Sequence, residues 1–164
     1  MSAEFDTAVR LTLYREFVRT ASPPMAEALA AGMQSSTAEI RAALERLAAG
    51  KAIVLQPESR EILIANPLCA APTPFRVQAQ DHSFFGSCVW DGLGIMAMLR
   101  SDSVLDTSCA CCGEAMTIGV RGSEIVPEPA RGATFLRLAS PPTAVRLLLR
   151  SRPPKLTLGK WPCN

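Results

Sequence analysis

"SSTAEIRAALERLAAGKAIVLQPESREILIAN", residues 35–66, changes its hydrophobic period halfway along. Before Gly50, the apolar residues Ile40, Ala43, Leu44 and Leu47 recur at helical spacing. Ser35 or Ser36 can cap that helix, and Glu39 stands where a capping box needs an acid. Gly50 is a natural stop. After it, two apolar runs flank "QPESRE", which predicts a hairpin.

The residues upstream supply two more helices. Phe5, Val9, Leu13, Phe17 and Val18, with Leu11 beside them, mark a helix over 5–20. "SPP" at 22–24 breaks it. Pro24 suits the first turn of a second helix, with Ser22 as its cap and Gly32 as its end. Three helices and a hairpin follow the winged-helix plan, a variant of helix-turn-helix. The alternative is a small helical subdomain without that role. The third helix carries Glu39, Arg41, Glu45 and Arg46, so its charges cancel. A surface that tracks phosphates needs surplus Lys and Arg, which argues against DNA binding.

The second half reads as α+β with a mixed sheet. "RVQAQDHSFFGSC" has the partial alternation of a strand, and a helix runs from about Val89 to Leu99. "SVLDTSCACCGEAMTIGVRG" predicts two strands around a cysteine turn. "ATFLRLAS" predicts another strand, and "PPTAVRLLLR" a short helix. The expected organisation is a winged-helix-like domain over 1–65, a Pro-rich connector over 66–79 and a catalytic domain over 80–164.

Composition narrows the function classes. The chain has 164 residues, enough for one domain or two small ones sharing a core. Its net charge of +2 is too even for a nucleic-acid-coating protein. No apolar run reaches the roughly 18 residues that span a bilayer, and the N-terminus does not resemble a signal peptide. A cytoplasmic protein is the default expectation. Disulfides are then disfavoured, so the six cysteines are buried, metal-binding or reactive. With one histidine, His82, the available chemistry is that of thiols and carboxylates.

Three cysteine motifs remain. In "FFGSCVWDGLGIMAML", 84–99, Cys88 and Asp91 lie three apart in an apolar run. On a helix they share a face. A thiolate at a helix start is stabilised by the dipole, and an aspartate beside it can exchange a proton with a group held by the sulfur. The plainer reading is a buried cysteine and a helix-capping aspartate. In "CACCG", 109–113, Cys109 and Cys112 have Cys-x-x-Cys spacing. That spacing suits buried or turn-stabilising cysteines, half of a metal knuckle, or a redox pair. No second Cys-x-x-Cys completes a zinc site. Cys163, in "GKWPCN", follows Trp161, an apolar ring that wants a docking site.

"NPLCAAPTPFRV", "FFGSCVWDGLGIMAML" and "DTSCACCGEAMTI", after a winged-helix-like start, together resemble the alkylmercury (organomercurial) lyases. The resemblance implies protonolysis of carbon–mercury bonds without an organic cofactor. Its products are a hydrocarbon and thiolate-bound Hg(II), which passes to small thiols or a mercury-accepting protein. It implies that Cys88 is the first mercury thiolate and Asp91 the proton relay. Cys109 becomes a structural cysteine, and Cys163 the second thiolate. Phe84, Phe85, Trp90 and Met96 become apolar walls around the substituent. Family members continue beyond the position of Cys163, so a shortened C-terminus is implied. A soft-metal- or thiol-responsive binding protein or regulator, without turnover, is the competing expectation. Membrane association is not expected.

Overall fold

The computed structural model describes residues 3–109, 112–122 and 124–127. Helix α1 (Ala3–Thr20) buries Val9, Leu13 and Phe17, one residue per turn, while Leu11 is exposed on the far side. Helix α2 (Ala26–Met33) starts later than its sequence suggests. Met25 holds the cap position without a side-chain cap bond, and the hydroxyl expected of Ser22 plays no part there. The helix runs past Gly32 and ends at Gln34, which takes the left-handed conformation. Helix α3 (Thr37–Ala49) has the complete capping box of Ser36 and Glu39 and closes on Gly50.

The charges of α3 are committed within the fold. Arg41 bonds Glu27 at 2.8 Å and Glu61 at 3.3 Å. Arg46 bonds Asp6 at 2.6 and 2.9 Å, and Glu45 pairs with Arg60. The guanidinium partners hold the carboxyls of Asp6, Glu27 and Glu45 below their ordinary values.

Strands β1 (Val54–Leu55) and β2 (Ile62–Ala65) form the expected hairpin. Strand β3 (Leu68–Cys69) pairs with β2 through Ala65 and Leu68. Strands β4 (Arg76–Ala79) and β5 (His82–Phe85) form a second hairpin, where the sequence suggested a single strand. Gln80 explains the difference: it adopts a φ of 53°, which turns the chain before Asp81. Helix α4 (Val89–Leu99) follows, with the bounds its sequence predicts. Strands β6 (Ser103–Ser108), β7 (Ala115–Arg121) and β8 (Glu124–Pro127) complete the described elements.

All eight strands join one sheet in the order β1-β2-β3-β5-β4-β6-β7-β8. Every pairing is antiparallel, which corrects the expectation of a mixed sheet. The connections give the reason. Short turns can join only antiparallel neighbours, whereas parallel ones need a crossover. The crossover through α4 joins β5 to β6, and β4 lies between them, antiparallel to both. The parallel strands are therefore never neighbours.

The Pro-rich stretch 66–79 contributes β3 and β4 to this sheet, so it is built into the fold rather than strung between two bodies. One hydrophobic cluster also crosses the expected boundaries. It joins Leu13, Phe17 and Leu44 of the helices to Leu68, Val77 and Leu105 of the sheet and Ile95 of α4. The Tyr14 hydroxyl fastens α1 to the β2–β3 turn by donating to Asn66 O at 2.7 Å. No helix among the described residues is long and apolar enough to cross a membrane.

Candidate functional site

Strand β5 ends at a point where two pieces of backbone nearly touch. Gly86 N–H donates to Phe75 O at 3.0 Å, and the Thr73 hydroxyl donates to Gly86 O at 2.6 Å. A β-carbon added to Gly86 would lie 2.8 Å from Gly92 N and 2.9 Å from Asp91 Cβ. On the neighbouring turn, a β-carbon on Gly92 would lie 2.7 Å from Leu105 Cδ1. Two glycines thus let α4 settle directly onto the strand that precedes it and onto β6. Its first turn lies against Gly86.

That turn carries both residues of the Cys-x-x-Asp motif. Cys88 is the N-cap, with extended backbone (φ −155°, ψ 176°), and its carbonyl accepts the first helical bond from Gly92 N–H at 3.0 Å. Its sulfur makes no cap bond. It stands, half-buried, at the end of the helix where peptide dipoles favour an anion. Asp91 is the third residue of the helix and is also half-buried. Its Oδ2 accepts a hydrogen bond from Ser87 N–H at 3.1 Å. N-cap and third positions face each other across the first turn, which is why capping boxes use them. Thiol and carboxyl are therefore presented together at one end of the helix, the carboxyl anchored by one oxygen.

The expected apolar walls are dispersed. Phe84 and Phe85 are consecutive on a strand, so they point to opposite faces. Phe84 pairs in register with Val77 and is buried in the core on the α4 side. Phe85 lies opposite Arg76 and Cys69, on the other face. Met96 is buried in the core, whereas Trp90 is 55% exposed. Phe84 and Phe85 cannot both line one pocket, and of the four residues Trp90 lies closest in sequence to the motif with its ring in the open.

Cys69, which the sequence left without a role, is buried in β3 on the face away from α4. Cys109 and Cys112 sit in the β6–β7 turn. Cys111 and Cys163 lie outside the described residues, as do the strand expected at "ATFLRLAS" and the helix expected at "PPTAVRLLLR". Sequence reading passed over Thr107. It alternates with Leu105 onto the α4 side of β6, and its hydroxyl is buried without a hydrogen-bond partner among the described residues. Only the strand register brings it into view. Among the described residues, no group of three or more His, Cys, Asp or Glu is gathered to hold a metal ion.

Residues 68–146 match the family model described as "MerB: Alkylmercury lyase". The match includes Cys88, Asp91, Cys109 and Cys112 and stops short of Cys163. Ten chains of solved structures match the fold. One of them, the "Crystal structure of the mercury-bound form of MerB2", superposes with a TM-score of 0.62 at 20% sequence identity. The superposition covers 77% of this chain and 60% of that one, so this chain spans well under two thirds of its solved neighbour. No curated protein matches the sequence. Just under half of the chain is thus similar to the alkylmercury lyase family model, and its fold is similar to that of the solved neighbour.

Proposed function

We propose, from this likeness to the alkylmercury lyases, that the chain cleaves carbon–mercury bonds by protonolysis at Cys88 and Asp91. The observation that carries the reading is that Cys88 caps α4 and Asp91 stands at its third position, on the same first turn. Mercury is soft and prefers thiolate to oxygen ligands. The Cys88 thiolate displaces the leaving ligand of an organomercurial, giving a carbon–mercury–sulfur arrangement. A second thiolate, from Cys163 or a small external thiol, then adds to mercury and raises its electron density. The carbon–mercury bond breaks with its electron pair on carbon. Asp91, as the carboxylic acid, gives that carbon its proton. Hydrocarbon leaves, Hg(II) stays on the two thiolates, and Asp91 is left as carboxylate. No organic cofactor is needed. External thiols or a mercury-accepting protein remove the metal.

A second reading, soft-metal binding without turnover, has its own support. The bond from Ser87 N–H to Asp91 is what a helix cap alone would require. Regulation through DNA is the weaker branch, because the arginines of α3 are occupied by acidic partners. One experiment separates the readings. Reduced protein is given phenylmercury and excess small thiol, and benzene is measured. Benzene that disappears in Cys88→Ala and Asp91→Ala supports the lyase. Tight Hg(II) retention with no benzene from the unaltered protein favours the binder, and Cys163→Ala tests the second thiolate.

A further inference from the structure

Position 107 of β6 holds a threonine whose hydroxyl is buried with no hydrogen-bond partner among the described residues. A buried hydroxyl left unpaired costs stability, and valine has the same shape without that cost. The strand register shows what this hydroxyl lies beside. Phe85 pairs with Arg76 and Arg76 with Asp106, so the ends of β5 and β6 meet the start of β4 at one edge. One residue further out, Gly86 N–H bonds Phe75 O, and Thr107 follows Asp106. Gly86, Phe75 and Thr107 therefore form the next row across the three strands, on the face that α4 covers.

Helix α4 buries Gly92, Ile95 and Met96, and Cys88 lies one turn before Gly92 on that same stripe. Gly92 rests on Leu105. Helix and strand run in opposite senses, because α4 leaves the end of β5 and returns to the start of β6. From Gly92 back to Cys88 is about 6 Å along the helix, and from Leu105 on to Thr107 is about 7 Å along the strand. Both steps go the same way, so the Thr107 hydroxyl lies beneath the turn that carries the Cys88 sulfur. We propose that Thr107 is a positioning residue for Cys88, its hydroxyl donating to the sulfur once that sulfur is a thiolate. The inference rests on the reading of Cys88 as the mercury thiolate and adds the group that steadies its charge. A neutral thiol is a weak acceptor, and a thiolate is a strong one. The thiol proton goes to solvent, and no covalent bond forms to Thr107. Two other titratable groups stand at this end: Asp91, on the same turn, and Cys109, two residues beyond Thr107. Phe75, Val77, Phe84 and Leu105, which face α4 from the sheet, carry no charge.

The test follows alkylation of Cys88 by iodoacetamide in the reduced, metal-free full chain from pH 5 to 10. The adduct is read on the Cys88 peptide by mass spectrometry. In Thr107→Val the midpoint of the rate profile should move up by about one pH unit, a tenfold loss of thiolate on its acid side. At pH 10 the rates should agree within about threefold, because the thiol is then ionised in both proteins. Thr107→Ala lacks the hydroxyl without crowding the site and should move the midpoint equally. Thr107→Ser keeps the hydroxyl and should restore it. Asp91 and Cys109 are unaltered throughout, so the shift reports the hydroxyl, and melting curves check that each variant is folded. An unmoved midpoint in folded Thr107→Val or Thr107→Ala overturns the proposal. A shift that Thr107→Ser shares does too, since disturbed packing would then be its cause. Benzene release from phenylmercury is scored apart: its absence in the unaltered protein ends the lyase reading and leaves the midpoint shift to be judged alone.

Discussion

Helices α3 and α4 begin on the same plan, with an oxygen at one N-cap and a sulfur at the other. Each starts from an extended N-cap residue, and each has an acid at its third position. At α3 the exchange is complete. Glu39 N–H donates to Ser36 Oγ at 3.2 Å, and Ser36 N–H donates to Glu39 Oε2 at 3.0 Å. At α4 only the acid takes part, and it reaches Ser87 N–H, one residue further out. Sulfur is a weak acceptor, so Cys88 leaves the helix amides without the cap a serine would give. A residue that forgoes a stabilising bond at a tightly packed helix start is there for another reason. Thiol chemistry is the reason proposed here.

Exchanging the two caps is the sharpest test. Cys88→Ser should supply the missing side-chain cap on α4 and raise stability by about 0.5–1 kcal/mol in urea titrations. The same change should cut phenylmercury cleavage by about 1000-fold, ~4 kcal/mol of barrier. A variant that is destabilised and still active would break the comparison. Asp91→Asn separates the acid's two roles. Its amide oxygen can still accept from Ser87 N–H, so thermal stability should stay within about 0.5 kcal/mol. The lost proton should lower cleavage by about 100- to 1000-fold.

Stability alone is at stake elsewhere. Gly86→Ala puts a β-carbon 2.8 Å from backbone. It should cost about 3 kcal/mol by urea unfolding, the upper end for overpacking, because backbone cannot yield as a side chain can. Ser36→Ala removes a cap with no chemical duty. It should cost about 1 kcal/mol and leave cleavage per folded molecule unchanged.

The smallest effect is a pH dependence. Bonds from the Ser36 backbone and hydroxyl hold the Glu39 carboxyl below its ordinary value of 4.5. A carboxyl depressed in the folded state adds stability above its unfolded value, and that stability fades as pH falls through the folded value. Melting temperatures measured from pH 6 down to 3 should therefore fall less steeply below about 4.5 in Glu39→Gln than in the unaltered protein. Parallel curves would show that Glu39 adds nothing measurable to acid sensitivity.

Where neighbours in sequence decide the outcome, the sequence was readable. The box at Ser36 and Glu39, the bounds of α4, the hairpin around "QPESRE" and the cysteine turn after β6 all depend on residues within a few positions of each other. Cys88 and Asp91 could be singled out for the same reason: a spacing of three is a local fact. The start of α2 escaped because Ser22 and Pro24 are strong signals that the chain does not use. The β4–β5 hairpin escaped because its turn depends on Gln80, a residue with no strong preference for the left-handed conformation.

The sequence by itself determined helices α1, α3 and α4 and the first hairpin, and placed a thiol and an acid on one turn. It did so through periodicity and capping, which act over one or two turns of chain. Tertiary structure alone decided that the sheet is antiparallel throughout and that one core crosses the expected domain boundaries. It also decided that Phe84 and Phe85 part company, and that Gly86 and Gly92 let α4 descend onto its strands. Those outcomes depend on which distant surfaces meet, and on the space left between them when they do.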